Sequence, residues 1–447
     1  MSAAQVLEPL VRAALPASAP VRIDCWDGSS LGPADAPLHA GFERRRALRR
    51  LLWQPNELGF ARAYVSGDLT IHGDLMAALS YLDSLADPDS GPGVHIGRDT
   101  TAAIASAALR LGAVGPPPRP PAEEARLSGR RHSLRRDARA VAHHYDVGND
   151  FYALVLGRSM VYSCAYFERP PSTGFTLEDA QQAKLELVAR KLGLDAGMRV
   201  LDVGCGWGSF VCHAAREHGV EAVGVTLSQE QAAFARERVR VRGLEGQVEI
   251  RVQDYRDVPD GPYDAIASIG MAEHVGLAHQ PEYAQCLHAL LAPGGRLLNH
   301  AIARRGDAEG APGDARTSFI ERYVFPDGEL VPLATTVEAL ESAGLEVRDV
   351  ESLREHYALT LRAWVANLEQ HWEEALALSS PGRARVWLLY MAGSALAFEA
   401  RRIGVNQVLA VRPDHEGRSG MPLTRHRLLD GGSARESVAH PGQPSSM

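Results

Sequence analysis

From about residue 143 onward, short apolar runs alternate with segments whose apolar residues recur at helical spacing. Arg199 to Val203 reads as a buried strand, Gly204-Cys205-Gly206-Trp207-Gly208 as a glycine turn, and the stretch through HAAREHG as a helix. EAVGVTLS predicts the next strand and QEQAAFARERVRVRG its following helix; VEIRVQDY, YDAIASIG and GGRLLNHAI predict three more strands. Strands separated by helices imply an α/β fold, with a doubly wound, mostly parallel, Rossmann-like sheet. This pattern defines a catalytic domain over 143–410. Residues 1–115 mix strand and helix periods and predict a smaller α+β accessory domain. PPPRPP at 116–121 cannot continue a helix and opens an extended linker, 116–142. Residues 411–447 lack periodicity, are rich in Gly, Ser, Pro and charge, and predict a disordered tail.

With 45% hydrophobic and 23% charged residues and a net charge of −8, the chain of 447 residues is an ordinary globular protein and not a general nucleic-acid binder. Of 47 basic residues only Lys184 and Lys191 are lysine. A GC-rich genome accounts for that bias; beside it stands the reading that some arginines are placed to grip phosphate in a planar fork. The densest basic stretch is Arg126, Arg130, Arg131, Arg135, Arg136 and Arg139. It is either a solvated linker or a patch for anionic lipid headgroups, to which each basic group contributes ~1 kcal/mol. Five scattered cysteines without CxxC spacing argue against a disulfide framework and against a structural zinc site, so no metal is expected. Glu8 and Arg12 interrupt the N-terminal apolar stretch, and no run of 18 uncharged apolar residues occurs. The expectation is a cytoplasmic protein whose membrane contact is peripheral.

The glycine turn follows a strand and opens a helix, the context in which such loops bring backbone close to a ligand. Alone it suggests a dinucleotide or a purely structural turn. Two features redirect it: Asp202 precedes Gly204, Gly206 and Gly208 and suits an ammonium group, and the GxGxxG spacing that seats a pyrophosphate is missing. S-adenosylmethionine, with a cationic amino-acid end and no phosphate, fits better. Where an acid commonly holds ribose hydroxyls, the chain has Thr226-Leu227-Ser228, leaving Gln231 as the nearest substitute. Asp254, Tyr255 and Arg256 follow the third strand, where an acid can accept the adenine amino group and a ring can cover the base.

HYDVGNDFY, MVYSCAYFE, VLDVGCGWG, GVTLSQEQ, QDYRD, EHVG, FIERYVFPDGEL and HYALTLRAWVANLE, in that order between residues 144 and 369, closely resemble the cyclopropane-fatty-acyl-phospholipid and mycolic acid cyclopropane synthases. LGFARAYVSGDLTIHGDL resembles the accessory domain of the phospholipid-acting members. The resemblance implies a class I S-adenosylmethionine-dependent methyltransferase fold. It also implies methyl or methylene transfer to the cis double bond of an unsaturated acyl chain, through a carbocation deprotonated by bound bicarbonate. Carried over by motif, the bicarbonate cage is Cys164, Glu273, His300, the backbone of Ile302, and Tyr357. Tyr162, Ser163, Gly204, Thr226, Leu227 and Gln231 match cofactor contacts. Outside these motifs Cys164 would read as a small apolar residue, Tyr357 as a core aromatic and His300 as a strand-end histidine. The resemblance further implies an unsaturated phospholipid substrate, a homodimer, and a possible reductase acting on the product.

The chain departs from the family at Ala272, where Phe commonly precedes the Glu, and at Ala410, which replaces a cysteine once proposed as a nucleophile. Asp27 and Gly28 in WDGSS, Ala63 in ARAYV and His132 in RRHS resemble the actinobacterial branch that makes 10-methylene acyl chains. That product is favoured over cyclopropane. The competing readings are methylation of a free or carrier-bound fatty acid or another small molecule, and a non-catalytic S-adenosylmethionine- or lipid-binding protein.

Overall fold

The computed structural model describes residues 1–14, 20–86, 106–125, 147–306, 318–326 and 328–429. The arginine stretch from Arg126 to Arg139, with His132, lies outside them. The chain divides into two compact units. One comprises Met1–Gly157, Asp307–Gly328 and Tyr357–Arg402; the other comprises Arg158–Gly306, Glu329–His356 and Ile403–Met447.

The second unit holds the Rossmann-like sheet. Its strands are β5 (Arg199–Val203), β6 (Glu221–Thr226), β7 (Val248–Val252), β8 (Tyr263–Ile269), β9 (Leu291–Arg304), β10 (Val331–Pro332), β11 (Glu346–Ser352) and β12 (Ile403–Val411), in the order β11-β12-β9-β8-β5-β6-β7, with β10 paired to β9. The strands from β7 through β9 pair in parallel. β12 runs antiparallel to both β9 and β11. Side chains alternate across the sheet. Val200 joins a core with the helices Leu177–Leu192, Ser209–His218 and Gln229–Val241, whereas Leu201 and Val203 join a core with Gln280–Leu290 and Leu333–Ser342. The chain winds outward from β5 to β7 and then returns to β8 on the other side of β5. The carboxyl ends of β5 and β8 therefore flank a topological switch point, where such sheets bind ligands.

Local sequence sets the helix that matters most to the site. Thr176 and Asp179 form a reciprocal capping box at the start of Leu177–Leu192, Glu178 and Asp179 lie in its first turn, Arg190 and Lys191 in its last, and Gly193 ends it in a left-handed conformation.

The first unit contains a sheet of order β2-β1-β3-β4, from β1 (Val21–Cys25), β2 (Ser30–Leu31), β3 (Leu38–Phe42) and β4 (Leu69–His72). Helix Pro381–Glu399 packs on Glu57–Val65 and Leu75–Ala86. Its Trp387 meets the Tyr152 ring edge-on at 5.1 Å. Segments that the sequence assigns to one catalytic domain over 143–410 thus share a core with the N-terminal region. The linker proline run is tied to the same unit, since Arg50 donates to the Arg119 carbonyl at 3.0 Å. Asp27 supports the fold of this unit, because its Oδ2 accepts from the Ala3 amide at 2.7 Å at the start of helix Ala3–Ala14.

Residues 412–429, placed by sequence in the disordered tail, carry ordered contacts: Met421 and Leu428 are buried in the sheet's core, and Arg425 pairs with Asp349 at 2.6 Å. Two buried apolar side chains anchor the segment despite its polar composition. Among the described residues no helix is long and apolar enough to cross a membrane.

Candidate active site

The amides of Gly204 and Cys205 both donate to the Val225 carbonyl at 3.0 Å, which fixes the loop after β5 against β6. Gly206 has φ +52°, and a side chain there would meet nothing within 4 Å. Its glycine serves a left-handed turn and leaves an open backbone face. Gly204 has φ +82°, and an added Cβ would lie 3.1 Å from Met271 Cγ, so the loop abuts the turn that carries Glu273. Asp202 is 2% exposed and accepts no hydrogen bond among the described residues. Burial pushes its carboxyl up to about 7, against the pull of the Lys184 ammonium. Lys184 donates to Ser163 Oγ at 3.0 Å, and burial draws it down to about 8.

At the end of β6, Thr226 Oγ1 donates to Gln231 Oε1 at 2.9 Å, and the Ser228 amide donates to Thr226 Oγ1 at 3.2 Å. The structure brings Thr226 and Gln231 together as buried polar groups and leaves Leu227 at the surface. Beyond β7, Arg256 spans both oxygens of Asp254 at 2.8 and 2.7 Å. Burial of Asp254 opposes ionisation, yet Arg256 holds its carboxyl below the usual range. The Arg256 guanidinium also lies 5.5 Å from the centre of the Tyr255 ring.

β8 and β9 deliver the other cluster. Ile269 pairs with His300 in register, and the Gly270 amide donates to the His300 carbonyl at 2.8 Å. The short helical turn Ala272–His274 aims Glu273 back at β9, where its Oε1 accepts from the Ile302 amide at 2.7 Å. Glu273 Oε2 is shielded and has no partner among the described residues, and burial pushes the carboxyl up to about 7. Gln407 Nε2 lies 3.2 Å from His300 Nδ1, while His300 Nε2 is buried without a partner among the described residues. With Gln407 donating, the ring proton rests on Nε2. Burial, with the fields of Lys184 and Lys191, holds His300 well below the usual histidine range and neutral. The open carboxylate oxygen is an acceptor and the open ring N–H a donor, so the two together can hold a small group that both donates and accepts.

Cys164 is fully buried, its thiol 3.2 Å from the Ala165 carbonyl and 3.6 Å from that of Leu353. Tyr162 is partly exposed and lies two residues before it on the same segment. Tyr357 belongs to the other compact unit, which begins again one residue after His356; there its ring packs 4.8 Å from Phe398.

A family model described as mycolic acid cyclopropane synthetase matches residues 132–408. The chain belongs to this family. It is 41% identical, over 90% of its length and 94% of the relative's, to a Mycobacterium tuberculosis protein named a probable fatty acid methyltransferase. It is 33% identical, over 88% of each chain, to the tuberculostearic acid methyltransferase UfaA1 of the same organism. Among solved structures, mycolic acid cyclopropane synthase CmaA1 complexed with SAH and CTAB is 36% identical, with a TM-score of 0.57, covering 61% of this chain and 97% of that one. This cyclopropane synthetase family member is therefore an enzyme of the S-adenosylmethionine-dependent methyltransferase type, with the class I Rossmann-like fold that its strand pattern predicts.

Sequence reasoning passes over two residues of the cluster. Gln407, which fixes the His300 ring, is fully buried; its signal is a glutamine inside the apolar run IGVNQVLAV. Lys184 is the other, and its signal is the rarity of lysine.

Proposed function

We propose that this enzyme transfers the methyl group of S-adenosylmethionine to the cis double bond of unsaturated acyl chains in phospholipids, giving a 10-methylene product that a reductase can then saturate. The observation that carries the reading is the pair of open, buried polar atoms, Glu273 Oε2 and His300 Nε2, on the turn and strand beside the glycine loop. Methylation of an amine or hydroxyl releases an acidic proton. Methylation of an alkene leaves a proton on carbon that only a positioned, sheltered base removes. S-adenosylmethionine supplies the electrophilic methyl, and bicarbonate the base.

The geometry supports the following roles for the protein's own residues. Asp202 and the open face of Gly206 receive the methyl donor, and Thr226 and Gln231 hold its hydroxyls. His300 donates to the anion through Nε2, and Glu273 Oε2 accepts from the anion's hydroxyl and so orients it. Cys164 is assigned to the same cage by motif. The methylene product is favoured over cyclopropane by the methyltransferase names of relatives that span nearly the whole chain. Ala272, buried beside Glu273, stands where the family commonly has a phenyl ring.

The test is incubation of the purified protein with S-adenosylmethionine and vesicles of cis-monounsaturated phospholipid, followed by mass spectrometry of the released acyl chains. Chains heavier by one carbon are expected, with fragmentation placing an exocyclic methylene. A gain confined to free fatty acid or acyl thioester would move the substrate, and no gain with any of the three would end the proposal.

A further inference from the structure

In a chain whose cationic residues are otherwise arginine, the two lysines are both 1% exposed and both lie on helix Leu177–Leu192. Lys191 is accounted for: its Nζ lies 2.5 Å from Glu351 Oε2 and 3.5 Å from Asp349 Oδ2. Lys184 is not. It donates one hydrogen bond, to Ser163 Oγ, and makes no ion pair among the described residues. Asp202, on the sheet face that carries Val200 and this helix, is the complementary case, a buried carboxylate that feels the field of Lys184 without pairing with it. Two opposite charges buried near one another but out of contact are costly, several kcal/mol per ion. A group that carries an ammonium and a carboxylate on one carbon offers each a partner of the right sign. The compact ammonium of lysine suits one end of such a group, whereas a guanidinium fork is wider and planar.

We propose that Lys184 receives the carboxylate of the amino-acid end of S-adenosylmethionine while Asp202 takes its ammonium. The inference rests on the reading of S-adenosylmethionine as methyl donor. Bicarbonate presents the same planar O–C–O chemistry, and Cys164 and His300 also lie in the field of Lys184, so the test must separate the two anions.

Binding to the full-length protein is measured by calorimetry, with Lys184→Met as the variant and its thermal melt as a control for folding. Wild type should bind S-adenosylmethionine roughly 10- to 100-fold more tightly than decarboxylated S-adenosylmethionine, which keeps the ammonium and lacks only the carboxylate. Lys184→Met should erase that difference and leave affinity for 5′-methylthioadenosine, which lacks the whole amino-acid end, unchanged. If wild type binds the two sulfonium ligands equally, the proposal is overturned whether or not the variant folds. It is also overturned if Lys184→Met keeps the discrimination, or if the variant only raises the bicarbonate concentration needed for half-maximal turnover. A wild-type protein that binds none of these ligands would instead remove the methyl-donor reading itself.

Discussion

Asp68 in the first unit and Asp202 in the second are both buried carboxylates, and they are treated in opposite ways. Asp68 is fully enclosed; Arg46 spans it with contacts of 2.9 to 3.2 Å, and Arg50 adds one at 3.0 Å. Burial alone would raise its carboxyl, but the two guanidiniums hold it below the usual range. Glu124 in the same unit is gripped by Arg62 at 2.7 and 2.6 Å and lies 3.2 Å from the Tyr323 hydroxyl. Among the described residues Asp202 accepts no hydrogen bond and Glu273 keeps one oxygen open, and both are pushed up to about 7. A buried charge with its partners in place holds structure together. One left without partners destabilises the fold and is retained where a ligand completes it. The arginine-rich composition is used for the first purpose, and the two lysines divide between them, Lys191 paired and Lys184 open.

The largest effect that tests this contrast is on turnover. Glu273→Gln keeps an acceptor for the Ile302 amide but can no longer act as a charged acceptor toward the base. Turnover should fall roughly 10²- to 10⁴-fold, with S-adenosylhomocysteine affinity within about twofold of wild type. Unchanged turnover would remove Glu273 from the mechanism. Next is stability. Asp68→Asn strands Arg50, itself only 7% exposed, and should cost about 3–5 kcal/mol in denaturant unfolding. Asp202→Asn should melt no lower than wild type at pH 8, while its affinity for S-adenosylhomocysteine drops. If the two asparagine variants lose stability equally, the distinction between the two carboxylates fails.

Much of the second unit is legible in the chain. The glycine turn, the strands β5 to β9 and the intervening helices follow from apolar periodicity and punctuation, because a buried parallel strand is a short continuous apolar run between turns. β12 is not legible. IGVNQVLAV is apolar nearly throughout, and its reversed placement between β9 and β11 depends on partners far away in sequence. The interleaving of the two units is hidden for the same reason: nothing local to Pro381–Glu399 names the distant helices that cover it. Within the site, Asp202, Thr226, Gln231 and Glu273 are visible as motif residues. What no motif states is which polar atoms lack partners, since Asp254 and Asp202 look alike in sequence and only the structure shows Arg256 on one of them. Lysine scarcity is visible in the sequence, where genome composition suffices to account for it; burial of both lysines is what turns it into a signal.

The pH dependence draws the same contrast with the smallest expected effect. Glu273 and Asp202 have folded values near 7 against ordinary values of 4.5 and 3.8, so between about pH 4 and 7 the folded protein holds protons that the unfolded chain has released. Stability from these two groups is present at the acidic end of that window and declines as pH rises through about 7. Asp68 has the opposite sign: its folded value lies below 3.8, so its contribution is present above pH 3.8 and is lost as pH falls through the folded value. Thermal midpoints measured across pH should therefore peak between the two limbs. The double variant Asp202→Asn, Glu273→Gln should flatten the neutral limb alone, and Asp68→Asn the acid limb alone. Turnover should move against stability on the neutral side, rising about tenfold per unit as pH increases toward 7, because only the ionised form of Glu273 accepts from the anion's hydroxyl at full strength and so orients the base. A neutral limb that survives the double variant would mean that the open carboxylates are not what sets it.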